Sequence, residues 1–103
     1  MADDYLQVAL ITEVFFDDPT GERLQRALVD AQSRGADLAL LPEIPLNRWS
    51  PASKQAIDED AEEPDGWRQA LMAEAAKSVG IGLVGGAIIR DPDTGIRYNT
   101  ALL

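Results

Sequence analysis

Two amphipathic stretches, each closed by a glycine and each followed at once by an apolar run, restrict this chain to a small set of folds. Leu24, Leu28 and Ala31 recur at helical spacing, with Ala27 beside them and polar side chains on the opposite face. Gly35 is placed to end that helix in the left-handed conformation that glycine adopts without steric cost, and residues 38–41 follow as a short apolar strand. In the second stretch Trp67, Leu71, Ala75 and Val79 lie four residues apart with Met72 and Ala76 alongside, then Gly80, then a strand-like run over 81–89. Trp67 belongs to this stripe and is expected in the core. Ahead of both stands LQVALITEV, residues 6–14, aliphatic and β-branched as a strand covered on both faces requires. Asp17, Asp18 and Pro19 then read as a helix start, with Asp18 capping free N–H groups and Pro19 at the first helical position. Strand, helix, strand in that order predicts a right-handed parallel crossover, so the fold class is α/β with a sheet that is at least partly parallel.

Residues 96–103 form a further strand, separated from 81–89 by the turn sequence DPDTG, and the two are expected to pair as a hairpin. After the second strand the periodicity is lost. Residues 44–64, IPLNRWSPASKQAIDEDAEEP, hold prolines and a cluster of acids and read as a long surface excursion, of which 52–57 can form a helical turn. Long loops of this kind are often functional. Asp65 is placed to cap the second helix. At 103 residues there is room for one small domain with one core, and no internal repeat divides it. The last strand is apolar with an open edge, a feature that invites aggregation, so further chain is expected after Leu103.

Eighteen acids against nine bases give a formal charge of −9, which repels phosphate backbones and anionic lipid and argues against nucleic acid and membranes as partners. No apolar run approaches the roughly 18 residues that span a bilayer, and the opening MADDY lacks the flank and apolar stretch of a signal peptide. The expected location is therefore the cytoplasm. Cysteine and histidine are both absent, so these residues cannot hold a Ser-His-Asp triad, a Cys-His pair or the usual zinc sites. Carboxylates, lysines and backbone groups remain.

Several patterns have plainer readings than their spelling suggests. Gly80, Gly82 and Gly85 spell G-x-G-x-x-G, but a dinucleotide-binding turn needs a strand before it and a helix after it, and here the order is reversed. A helix end followed by close sheet packing accounts for them. Asp91, Asp93 and Gly95 resemble the start of a calcium loop, yet Leu102 stands where the bidentate Glu is required. The acids Asp58, Glu59, Asp60, Glu62, Glu63 and Asp65 read as a solvated exterior run rather than a metal site. Trp49, in the irregular loop, is a candidate substrate contact, because aromatic side chains commonly line small-molecule pockets.

One acid stands apart. Glu43 follows the apolar strand 38–41 directly, between Pro42 and Pro45. In a parallel sheet the carboxyl ends of the strands open onto the crevice where ligands bind, and the fixed φ angles of flanking prolines stiffen the backbone that holds the side chain. Among Leu41, Ile44 and Leu46 the carboxylate is expected to be partly desolvated, which suits a general base working near neutral pH.

At this point the residues resemble a known family. Strand VALIT at 8–12, the run LQRALVDAQSRGADLALLPE ending at Glu43, and VGIGLVGGAIIRDPDTGIRYNTALL at 79–103 together are similar to the opening part of the nitrilase superfamily of carbon-nitrogen hydrolases. GADLALLPE is the most specific piece, since the family's first catalytic motif is a Gly-Ala-Asp element, an apolar strand, then Pro-Glu. The resemblance implies a partial αββα sandwich, with two or more helices on one face of a mixed sheet, in which residues 1–103 are the N-terminal part of a single domain that is incomplete at its C-terminus. It further implies hydrolysis of non-peptide carbon-nitrogen bonds in an amide, nitrile or N-carbamoyl compound by a Glu, a Lys and a Cys, without metal or organic cofactor, in a homo-oligomer. Of that constellation only Glu43 carries over. Lys54 lies in the loop and Lys77 on the second helix, neither in the family's lysine motif, and the thiol is missing, so the 103 residues alone are expected to be inactive. Residues 44–64 would shape one wall of the pocket. The competing reading is a small non-catalytic α/β binding or oligomerisation module.

Overall fold

The computed structural model describes residues 5–48 and 57–103. Among the described residues there are five strands and two α-helices, β1 (Val8–Leu10), α1 (Glu22–Ser33), β2 (Leu38–Leu40), β3 (Ala61–Glu62), α2 (Trp67–Val79), β4 (Gly82–Arg90) and β5 (Arg97–Leu102), with a short 3₁₀ helix at Asp58–Asp60 before β3. All follow the predicted order except β3, which lies in the segment expected to be an irregular surface excursion. β1, β2 and β4 run parallel, with Ala9 opposite Ala39 and Ala39 opposite Leu83. β3 pairs in parallel with Ile88 and Ile89 of β4, and β5 pairs antiparallel with β4 from Gly85 to Arg90. Because Ile88 and Ile89 bond to both, β3 and β5 lie on opposite sides of β4. The sheet is mixed, and the hairpin closes through the DPDTG turn, where Asp91 Oδ1 accepts the N–H groups of Asp93 and Thr94 and Gly95 takes a φ of 73°.

Both helices cover the same face of this sheet. Leu24, Leu28 and Ala31 of α1, Met72 and Ala75 of α2, and Ala39, Leu41, Ile81 and Leu83 form one buried cluster with Phe15 and Leu46. A Cβ at Gly85 would come within 2.5 Å of Met72 Sδ, so this glycine lets α2 sit close on the sheet, as the plainer reading of the three glycines requires. α1 ends at Arg34 and Gly35, where Gly35 N–H and Ala36 N–H donate to the carbonyls of Gln32 and Ala31. This is the glycine-closed helix end that the sequence predicts. Gln32 Nε2 also donates to the carbonyls of Val79 and Gly80, tying together the C-terminal ends of the two helices. Among the described residues no helix is long and apolar enough to cross a membrane.

No α-helix of the described residues covers the opposite face. Alternation along the strands puts Val8 and Leu10 of β1 and Leu40 of β2 there, and Leu10 is 71% exposed. β1 was expected to be covered on both faces and to run over 6–14; instead it is three residues long and one face is bare. The ladder continues only through Ile11 N–H to the Leu40 carbonyl. Beyond it Phe15 folds into the core, held by its N–H to the Pro45 carbonyl at 2.7 Å.

Five further expectations are corrected. Asp18 does cap α1, accepting the N–H groups of Arg23 and Leu24 at 3.1 and 3.0 Å, but the helix starts only at Glu22, so Pro19 lies in the preceding turn rather than at its first position. Asp65 does not cap α2: it has a φ of 67°, while Glu62 accepts Arg68 N–H and Gln69 N–H at 3.1 Å each. Trp67 is 55% exposed beneath the Arg68 guanidinium. The buried stripe of α2 is Arg68, Met72 and Ala75, turned by one residue because Glu62 draws Arg68 inward. The acidic run is not wholly exterior, since Glu62 is 7% exposed and paired with Arg68. Nor is the segment after Glu43 all surface: Pro45, Leu46 and Asn47 are buried, with Asn47 Nδ2 donating to the Asp60 carbonyl.

Candidate active site

β2 delivers Glu43 by a short, well-fixed route. Leu41 N–H continues the ladder to the Val84 carbonyl at 3.0 Å, and the Leu41 side chain turns into the core. Pro42 then ends the pairing, since it has no N–H to donate. Glu43 follows, and Ile44 adopts a φ of +38°. For a β-branched side chain that conformation is strained, and strain of this kind stands at about 1–3 kcal/mol per residue. It persists because both flanks are pinned: Leu41 on β4, and the buried Pro45 through its carbonyl to Phe15.

The turn lies over the helix-free face. By register Gly86 and Ile88 of β4 stand opposite Ala101 and Asn99 of β5, and alternation puts these four on the side away from Leu83, Gly85 and the helices. A Cβ at Gly86 would lie 3.3 Å from the Thr100 carbonyl oxygen, a tight contact, and 3.5 Å from Ile44 N, an ordinary one, so the Glu43–Ile44 backbone rests close against this strand with little room for a larger side chain. Asn99 Nδ2 donates to Glu43 Oε1 at 2.9 Å. Glu43 and Asn99 are both exposed. The desolvation expected among Leu41, Ile44 and Leu46 is therefore not found: Leu41 and Leu46 turn into the core on the helix side, and the half-buried Ile44 leaves the carboxylate exposed.

A cavity of about 360 Å³ opens at the carboxyl ends of β1 and β2, lined by Leu10, Ile11, Thr12, Val14 and Leu40 through Pro42. It stops one residue short of Glu43. A larger cavity of about 480 Å³ lies on the helix side between α2 and β4, lined by Met72, Leu83 and Leu102 among others. Gln69 is its one side chain with a polar group, so of these two cavities the carboxyl-end one lies nearer a carboxylate.

Lys77 is exposed in the last turn of α2, just before β4 begins, and so stands at the amino end of the parallel strands while Glu43 stands at the carboxyl end. The two are not brought together. Trp49 and Lys54 lie outside the described residues, as does most of the helical turn expected at 52–57. Near the same end of the sheet, Arg23 ties the segment after β1 to α1 by bonds to Glu13, Asp17 and the Val14 carbonyl; its hydrogen bond to Glu13 and the charge of Asp17 raise its pKa above the ordinary arginine value.

The partnership of Asn99 with Glu43 was not foreseen. The YNT sequence that contains Asn99 was visible, but nothing in a linear reading joins two residues on different strands. Glu62 was missed in the same way, although Asp18 offers the parallel: each is an acid several residues ahead of a helix, with its carboxylate on that helix's first free N–H groups.

A family model described as carbon-nitrogen hydrolase matches residues 11–103, a span that takes in β2, Glu43, both helices and the hairpin. No curated protein matches the chain.

Proposed function

The chain belongs to the carbon-nitrogen hydrolase family, and from that premise we propose that Glu43 is the general base of a hydrolase acting on an amide, nitrile or N-carbamoyl compound. The observation that carries the reading is the strained turn: a β-branched residue is held at a φ of +38° immediately after the acid. Strain at a strand end is a mark of a site where direction matters more than local stability. Position supports the same reading, since the carboxyl ends of parallel strands are where α/β sheets bind ligands.

In the proposed reaction the Glu43 carboxylate takes the proton of a cysteine thiol as the sulfur attacks the carbon of the C–N bond. The carbon of an amide becomes tetrahedral and that of a nitrile trigonal, and the oxygen of the one, or the nitrogen of the other, gains charge that a lysine ammonium stabilises. For an amide, the protonated Glu43 gives its proton to the leaving nitrogen as the C–N bond breaks, which releases ammonia or an amine and leaves a thioester beside a side chain that is a carboxylate again. Water then loses a proton to Glu43 while its oxygen attacks the thioester, and that proton goes back to the departing sulfur. Base and acid alternate on one group, so atoms and charge balance over the cycle.

The 103 residues contain no cysteine, so the thiol has to come from outside them. We read residues 1–103 as the N-terminal part of the catalytic domain, with lysine and cysteine supplied by chain that follows. The test is Glu43→Gln in the complete protein, a change that keeps shape and removes the base. Turnover is expected to fall by at least about a hundredfold, the lower range of general-base contributions, with an unchanged circular dichroism spectrum. Full turnover in that variant would refute the role.

A further inference from the structure

We propose that Asn99 is a positioning residue that fixes the direction of the Glu43 carboxylate, an inference that rests on the reading of Glu43 as the base. The contact joins residues 56 positions apart, with Asn99 Nδ2 donating to Glu43 Oε1 at 2.9 Å. Both ends are anchored independently. Asn99 sits in β5 opposite Ile88, on a strand whose other positions are also paired to β4, while Glu43 stands on the turn pinned by Leu41 and Pro45. A glutamate side chain has three rotatable bonds, and an exposed one samples many directions. A single bond to a rigid strand selects one of them.

The chemistry of the donor fits the task. A lysine or arginine in the same place would pair with the carboxylate and weaken it as a proton acceptor. A neutral amide orients the group while leaving its charge uncompensated. By engaging Oε1 it also assigns the proton in transit to Oε2. Gly86 serves the same arrangement, because a side chain larger than a methyl group at this position of β4 would press on both the turn and β5.

The experiment compares Asn99→Ala and the isosteric Asn99→Asp in the complete protein, each alone and combined with Glu43→Gln. Two quantities are read: the steady-state parameters, and the rate at which iodoacetamide alkylates the cysteine, which reports thiol activation without turnover. Asn99→Ala is expected to lower kcat by about ten- to a hundredfold with KM nearly unchanged, the scale of a misaligned catalytic group, and to slow alkylation in parallel. Asn99→Asp, which replaces the donor by a second carboxylate, is expected to lower kcat at least as far. In the Glu43→Gln background neither change should slow alkylation further.

Wild-type kcat in both Asn99 variants overturns the inference, as does an equal additional loss in the Glu43→Gln background, which would mean that Asn99 acts on something else. Should the alanine variant fail to fold, the aspartate variant, which keeps the volume and shape, decides alone. The two readings fail separately. An active Glu43→Gln enzyme removes the base itself, whereas an inactive Glu43→Gln enzyme beside fully active Asn99 variants removes only the positioning role.

Discussion

Replacing Glu62 by alanine is expected to be among the most destabilising single changes available in this chain. The carboxylate is 7% exposed and has four donors: Arg68 N–H and Gln69 N–H at 3.1 Å each, Arg68 NH1 at 3.3 Å and Gln69 Nε2 at 2.9 Å. Removing one partner of a buried ion pair costs about 3–5 kcal/mol, because the other charge stays buried without compensation. The lower end applies here, since the pair is long at 3.3 Å and the Arg68 guanidinium keeps the Glu59 carbonyl at 2.7 Å. Loss of a helix cap adds about 1 kcal/mol, which brings the total to about 4 kcal/mol against a whole-domain stability of about 5–15 kcal/mol. Urea unfolding of the complete protein measures it. Glu62→Ala with Arg68→Met should recover a large part of the loss, because no charge is then stranded. A cost below about 1 kcal/mol for Glu62→Ala, the level of an exposed pair, would refute the account of α2's start.

Two further outcomes can be checked directly. Gly86→Ala is expected to be tolerated with small shifts, while Gly86→Val forces branched methyls against the Thr100 carbonyl and the Ile44 amide. Such overpacking costs about 1–3 kcal/mol, and turnover of the valine variant should fall with displacement of the Glu43 turn. The isolated 103-residue chain exposes Val8, Leu10 and Leu40 on one sheet face, and large bare apolar faces self-associate. It should bind a hydrophobic dye and sediment as aggregates; a monodisperse monomer with a sharp unfolding transition would contradict this and favour a self-sufficient module.

The parallel crossover, the hairpin and the glycine-closed helix ends were legible because each is written in local spacing: four-residue apolar periods, Gly35 and Gly80, and the DPDTG turn. The position of Glu43 was legible for the same reason, as an acid directly after an apolar strand. What escaped was set by partners distant in sequence or by competition between neighbours. Trp67 was assigned to the core from its period, yet a charged residue beside it took the inward place because Glu62 was waiting there. Spacing alone cannot rank an arginine above a tryptophan for burial. Asp65 looked like a cap by proximity, but its left-handed backbone aims it elsewhere, and the longer Glu62 reaches the same N–H groups from further upstream. The bare side of β1 could not be anticipated from an apolar run, which reads alike whether its second face is covered within these residues or by something outside them.

The Glu43–Asn99 contact is mounted on the same bare side. A layer resting against Leu10 and Leu40 and reaching as far as β5 would cover the carboxylate from the same side. If Glu43 is the base proposed above, covering the sheet and enclosing the carboxylate would then coincide.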